Sequence, residues 1–158
     1  MSPRPAQPPI GLQLGSTARA VSRAFDAALA AAGGSLPTWL VLLSLKTRST
    51  ANQRELAEAV GIQGATLTHH LNGMETDGLL TRRRDPTNRR MHLVELTEKG
   101  EAAFHRLRQV AVDHDRRLRA GLAEHELDLL RDVLTRMHAN ITADLEHPRG
   151  HGRVRQRL

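Results

Sequence analysis

The sequence predicts a mainly α fold with a small β-wing, and three observations carry that prediction. The run from Thr81 to Thr97, T-R-R-R-D-P-T-N-R-R-M-H-L-V-E-L-T, holds five arginines (Arg82, Arg83, Arg84, Arg89, Arg90) interrupted by one acid, Asp85. Its Asp-Pro-Thr-Asn centre is turn chemistry, and its flanks, Leu79-Leu80-Thr81 and Leu93-Val94-Glu95-Leu96, have strand character. That is a two-stranded ribbon with a cationic tip. Just before it, two short helical patterns are split by Gly-Ile-Gln-Gly. Longer apolar stripes at helical spacing precede and follow the whole segment. Together these compose a winged helix-turn-helix lobe on a helical base.

The elements follow in order. Leu14, Ala18, Val21, Phe25, Ala28, Leu29 and Ala32 mark a first helix, stopped by Gly33-Gly34. A second begins near Ser35 with Pro37 in its first turn and runs through Trp39-Leu40-Val41-Leu42-Leu43-Ser44-Leu45, so it is largely buried. Asn52 followed by Glu55 is a capping-box start, and Gly61 is the stop. A recognition helix from Gly64 to Asp77 turns Leu67, His70, Leu71 and Met74 inward and ends at Gly78. His70 is expected to be buried and hydrogen-bonded. After the wing, Thr97 is an N-cap with Glu98 in the first turn. The long helix carries Ala103, Phe104, Leu107, Val110, Ala111, His114 and Leu118, and Gly121 breaks it. A last helix carries Leu127, Leu130, Leu134, Met137, Ile141 and Leu145 in a nearly heptad-like stripe, the pattern of a helix that packs on partner helices.

A chain of 158 residues makes one domain or two small lobes. It has only three aromatic side chains, Phe25, Trp39 and Phe104, so its core is built from Leu, Val and Ala and is expected to be shared between subunits. Cysteine is absent, which excludes disulfides, thiolate metal sites and thiol redox sensing. No apolar run approaches the ~20 residues of a membrane span. The Pro-rich start lacks the apolar segment of a secretory signal, and a cytoplasmic location is expected. The net charge of +6 is uneven. Residues 49–97 hold six basic and six acidic residues, while the last eleven hold four arginines and no acid. Clustering of arginine in the wing therefore argues for DNA better than bulk charge does. The expected organisation is a disordered Pro-rich arm (1–9), a helical dimerisation region (10–34 and 97–147), the winged lobe (35–96) and a basic flexible tail (148–158).

The order of elements and four segments resemble the MarR family of bacterial transcriptional regulators. The segments are L-P-T-W-L-V-L-L-S-L, N-Q-R-E-L-A-E-A-V-G-I, T-L-T-H-H-L-N-G-M-E-T-D-G-L-L-T-R and D-P-T-N-R-R-M-H-L-V-E-L-T-E-K-G, within residues 12–147. The last resembles the family's wing signature, an Asp-x-Arg tip followed by Leu-Thr-x-x-Gly, here closing on Leu96, Thr97 and Gly100. The resemblance implies an obligate homodimer that represses a palindromic promoter. It also implies release by a small, often aromatic, ligand bound between base and lobe. Three positions depart from the pattern: Asn88 stands for the wing-tip Asp, Gln63 for the usual Ser before the recognition helix, and His69 for a frequent Arg.

The expected partner is double-stranded DNA carrying a pseudo-palindromic operator, read by two lobes about one turn, ~34 Å, apart. Arg89 and Arg90 are expected at the wing tip in the minor groove, and Arg82 and Arg84 at phosphates, unless the hairpin is merely a solvated charged surface. Asp85 is expected to orient one of them. Gln63, Ala65, Thr66, Thr68, His69, Asn72 and Gly73 lie off the apolar stripe and are expected at bases or phosphates. Phe25, Trp39, Leu43 and Phe104 either line an effector pocket or form ordinary core. Nine histidines raise a zinc-responsive alternative, yet none precedes His69, and His105 and His114 are nine apart. Glu124-His125 and Asp113-His114-Asp115 offer only opportunistic zinc ligands. No cofactor, metal site or catalytic constellation is expected.

Overall fold

The computed structural model describes residues 7–48, 51–88 and 92–146. The chain divides into two compact units, residues 1–118 and 119–158. In the first, helices α1 (Ile10–Ala31) and α2 (Leu36–Arg48) lead into strand β1 (Ala51–Asn52), then helices α3 (Gln53–Val60) and α4 (Gly64–Thr76). Strands β2 (Leu80–Arg84) and β3 (His92–Leu96) follow, then helix α5 (Glu98–Leu118). The second unit is built on helix α6 (Glu124–Glu146). The Pro-rich arm up to residue 6 and the basic tail lie outside the described residues.

Helix boundaries follow local chemistry. The Ser35 hydroxyl accepts the Thr38 N–H and opens α2. Asn52 accepts the Glu55 N–H at 2.9 Å, and Glu55 accepts the Asn52 N–H at 3.2 Å, a complete capping box. At the end of α4, Gly78 takes φ +73°, its N–H donating to Glu75 O while Leu79 N–H donates to Met74 O. This closure leaves the chain aimed into β2, and glycine alone adopts it without strain. Thr97 caps α5 by accepting the Gly100 N–H at 3.0 Å while its hydroxyl donates to Gly78 O at 2.6 Å. One threonine thus fixes both the start of α5 and the exit of α4.

The sheet has three strands in the order β1-β3-β2, all antiparallel. The two wing strands were legible. The third, only two residues long, pairs Ala51 with Val94 and Asn52 with Leu93. Two residues are too few to show an alternation, and Asn52 already reads as a helix cap. The core of this unit gathers Leu29, Leu42, Leu45, Leu56, Leu67, Leu71, Leu80, Val94 and Leu107, each at 2% exposure or less. α2 sits at its centre, which explains its unbroken apolar run. Gly100 is the tightest point, since a Cβ there would stand 1.9 Å from the Leu79 carbonyl oxygen. His70 is only half-buried, at the edge of α4 against the His69 ring, rather than enclosed as expected. Among the described residues, no single helix is long and apolar enough to cross a membrane.

Candidate nucleic-acid interface

α4 buries Leu67, Leu71 and Met74 at four- and three-residue steps. The opposite side therefore faces solvent, and Ala65, His69 and Asn72 form one exposed row beside Thr66 and Gly73. Gln63 occupies the N-cap with extended backbone, makes no side-chain cap bond and is exposed. Its amide stays available for an outside partner. Thr68 stands apart from this set. Its hydroxyl donates to Gly64 O at 2.9 Å and accepts from Gln53 Nε2, tying α4 to α3.

Pleating sorts the wing arginines. Leu80, Arg82 and Arg84 share one face of β2, and Leu80 is buried. Arg82, read above as a phosphate contact, is engaged internally. Its Nε donates to Glu75 Oε2 at 3.0 Å, and Nη2 donates to the same oxygen and to Asn72 Oδ1 at 2.6 Å. Its backbone N–H donates to Glu75 Oε1 at 3.2 Å. Glu75 thereby clasps the wing to the recognition helix, and hydrogen bonding from Arg82 holds its carboxyl below the usual range. Arg83, on the other face, pairs with Glu95 at 2.7 Å across the strands; the bond lowers the Glu95 pKa and raises that of Arg83.

Arg84 is exposed and has no acidic partner among the described residues. Its register partner is His92, also exposed. Sequence reading passed over His92; pairing the strands across the Asp-Pro-Thr-Asn turn would have placed it there. Asp85 orients the turn rather than an arginine. Its Oδ1 accepts the Thr87 hydroxyl and N–H, each at 2.7 Å, and the Asn88 N–H at 3.3 Å, and those bonds keep its pKa low. Arg89 and Arg90 lie outside the described residues.

Three of the four residues considered for an effector pocket, Phe25, Trp39 and Phe104, enter two separate ring stacks. Trp39 lies on Phe104 with centroids 5.8 Å apart, both buried, and Phe25 lies on His114 at 4.9 Å. Leu43 packs half-buried against the same core. The His114 Nε2 atom is shielded and has no partner among the described residues. A separate polar recess is lined by Leu45, Lys46, Glu95, Leu96 and Glu101, with Lys46 and Glu101 paired at 2.7 Å. No three His, Asp or Glu side chains converge on a metal-sized space among the described residues.

Residues 35–92, the stretch from α2 to the second wing strand, match the MarR family. CouR, a transcriptional repressor solved on a 23-mer DNA duplex, superposes with a TM-score of 0.73 at 30% identity, covering 82% of this chain and 92% of that one. The chain belongs to the MarR family. PcaV of Streptomyces coelicolor, a regulator solved with its natural ligand, superposes with a TM-score of 0.70 at 25% identity, over 85% of this chain and 97% of that one. An uncharacterized HTH-type transcriptional regulator of Bacillus subtilis (strain 168), YdgJ, is 34% identical over 90 residues. That match spans 57% of this chain and about half, 55%, of YdgJ. In this MarR-family chain the matched segment runs from the residue before α2 to the first residue of β3.

Proposed function

We propose that this chain is a homodimeric, sequence-specific DNA-binding transcriptional regulator that represses pseudo-palindromic promoters and releases them when a small molecule binds. The observation that carries the reading is the shared geometry of helix and wing. The exposed row of α4 and the Arg84–His92 end of the wing are joined by the Glu75–Arg82 clasp into one unit. Such a unit presents side chains for base edges beside cations for phosphates. Gln63, Ala65, Thr66, His69 and Asn72 are assigned to the groove, Arg84 to the backbone, and Arg89 and Arg90 to the minor groove. Thr68 keeps a methyl group for contact while its hydroxyl holds α3. CouR, bound to DNA, supports the first part of the reading, and PcaV, bound to its ligand, supports the last.

The test is nuclease footprinting on the chain's own upstream DNA at physiological salt. Symmetric protection of two half-sites one turn apart, with a preference of ~10³ or more over scrambled duplex, is the expected result. Equal weak binding to both duplexes would remove the reading.

A further inference from the structure

Resting on that reading, we infer that Arg82 fixes the orientation of the Asn72 amide, so that this position on the recognition helix leads with its donor end and favours hydrogen-bond acceptors on the duplex. An asparagine amide has one accepting end and one donating end, and in free solution it offers either. A guanidinium has no acceptor at all. The contact of Arg82 Nη2 with Asn72 at 2.6 Å therefore admits only the carbonyl end, Oδ1. The Nδ2 group has no partner among the described residues, and Asn72 is exposed in the row that contains Ala65 and His69. Glu75 holds Arg82 through Oε2 at the guanidinium and Oε1 at the backbone N–H, so a flipped amide would set its NH₂ group against a guanidinium held in place.

The consequence is a change in what Asn72 reads. A free asparagine suits adenine, pairing its two ends with N6–H₂ and N7. With one lone pair of Oδ1 held by Arg82, that bidentate pair is disfavoured, because the remaining lone pair and Nδ2 must then meet one base edge together without releasing the guanidinium. The NH₂ group suits guanine O6 and N7, thymine O4 or a phosphate oxygen, and it repels the N4–H₂ edge of cytosine. Asn72 is then the reading residue and Arg82 its positioning residue.

The experiment is selection from a random duplex library by four forms of the full chain: wild type, Asn72→Ala, Arg82→Met and the double variant. Alanine suits the helix and leaves the Arg82–Glu75 pair in place, so the single Asn72 variant folds; thermal unfolding checks each form. If the base edge is the acceptor, Asn72→Ala loses the preference at one position of each half-site. If a phosphate is the acceptor, affinity falls roughly tenfold on all sequences alike. Arg82→Met is expected to admit adenine at that position, but only while Asn72 is present. A wild-type pattern together with wild-type affinity in Asn72→Ala overturns the inference, as does the same Arg82→Met effect with alanine at position 72. Enrichment by the wild type is read separately, because its absence removes the regulator reading itself.

Discussion

Gly100 illustrates how a single position can bind an element to its neighbour. It lies one turn inside α5, where the helix crosses the strand entering the wing. Any side chain there meets backbone 1.9 Å away, and a backbone carbonyl cannot rotate aside as a side chain can. Gly100→Ala is expected to cost at least ~3 kcal/mol, read as a lowered urea midpoint with an unchanged slope. An unchanged midpoint would mean that α5 slides freely along the strand. Arg84 makes the opposite case, because removing an exposed side chain that has no acidic partner among the described residues leaves stability alone. Arg84→Ala is expected to reduce the salt dependence of DNA binding by about one unit of slope while the unfolding midpoint stays put. Were the slope unaltered, Arg84 would be surface and not backbone contact.

At the scale of elements, the clasp between α4 and β2 is where charge, position and stability meet. The Glu75 carboxyl ionises more readily in the folded chain than its ordinary 4.5, chiefly because Arg82 donates to it. A depressed pKa means stability that is present above the unfolded value and lost as pH falls through the folded one. The wing is therefore expected to loosen from α4 as pH falls below 4.5, the ordinary value for the carboxyl. The Arg82 backbone amide resonance reports it directly, and in Glu75→Gln the acid-dependent shift should vanish. A shift that persists in the glutamine variant would assign the transition to Glu95 or Asp85, whose carboxyls are depressed too. The helix ends were legible because caps are local: Asn52, Gly61, Gly78 and Thr97 each act within a few residues of themselves. The inner faces of α4 and α5 were legible because periodicity reports burial. What was not legible was which face of β2 turns toward α4. Strand alternation pairs Arg82 with Arg84 but is silent on what lies above them, so Arg82 was assigned outward and Glu75 was assigned nothing. The same limit hid the tie from Gln53 to Thr68, two polar residues that meet only once α3 and α4 pack.

For the whole molecule, the sequence carried a feature that no single chain explains. Along α6, Leu130, Leu134 and Ile141 remain 47%, 39% and 65% exposed, and they fall on the heptad-like stripe. Three large aliphatic side chains in one row on water cost free energy that a second helix recovers, which is why they support the proposed homodimer. Dimerisation also raises affinity without adding a contact. Once one lobe is bound, the second meets its half-site at a high effective concentration. Replacing Leu130 and Leu134 together by Glu places carboxylates in that row and should leave a species of 17.5 kDa by light scattering, half the mass of the wild type. Affinity for a full pseudo-palindrome should then fall by roughly 10²–10⁴-fold, while affinity for an isolated half-site is unchanged, because the helix-wing unit is untouched. The two DNA lengths separate two causes of failure. Loss on the full site alone identifies broken dimerisation, and equal loss on both identifies a damaged lobe. A variant that keeps the doubled mass would place the subunit contact elsewhere than on α6.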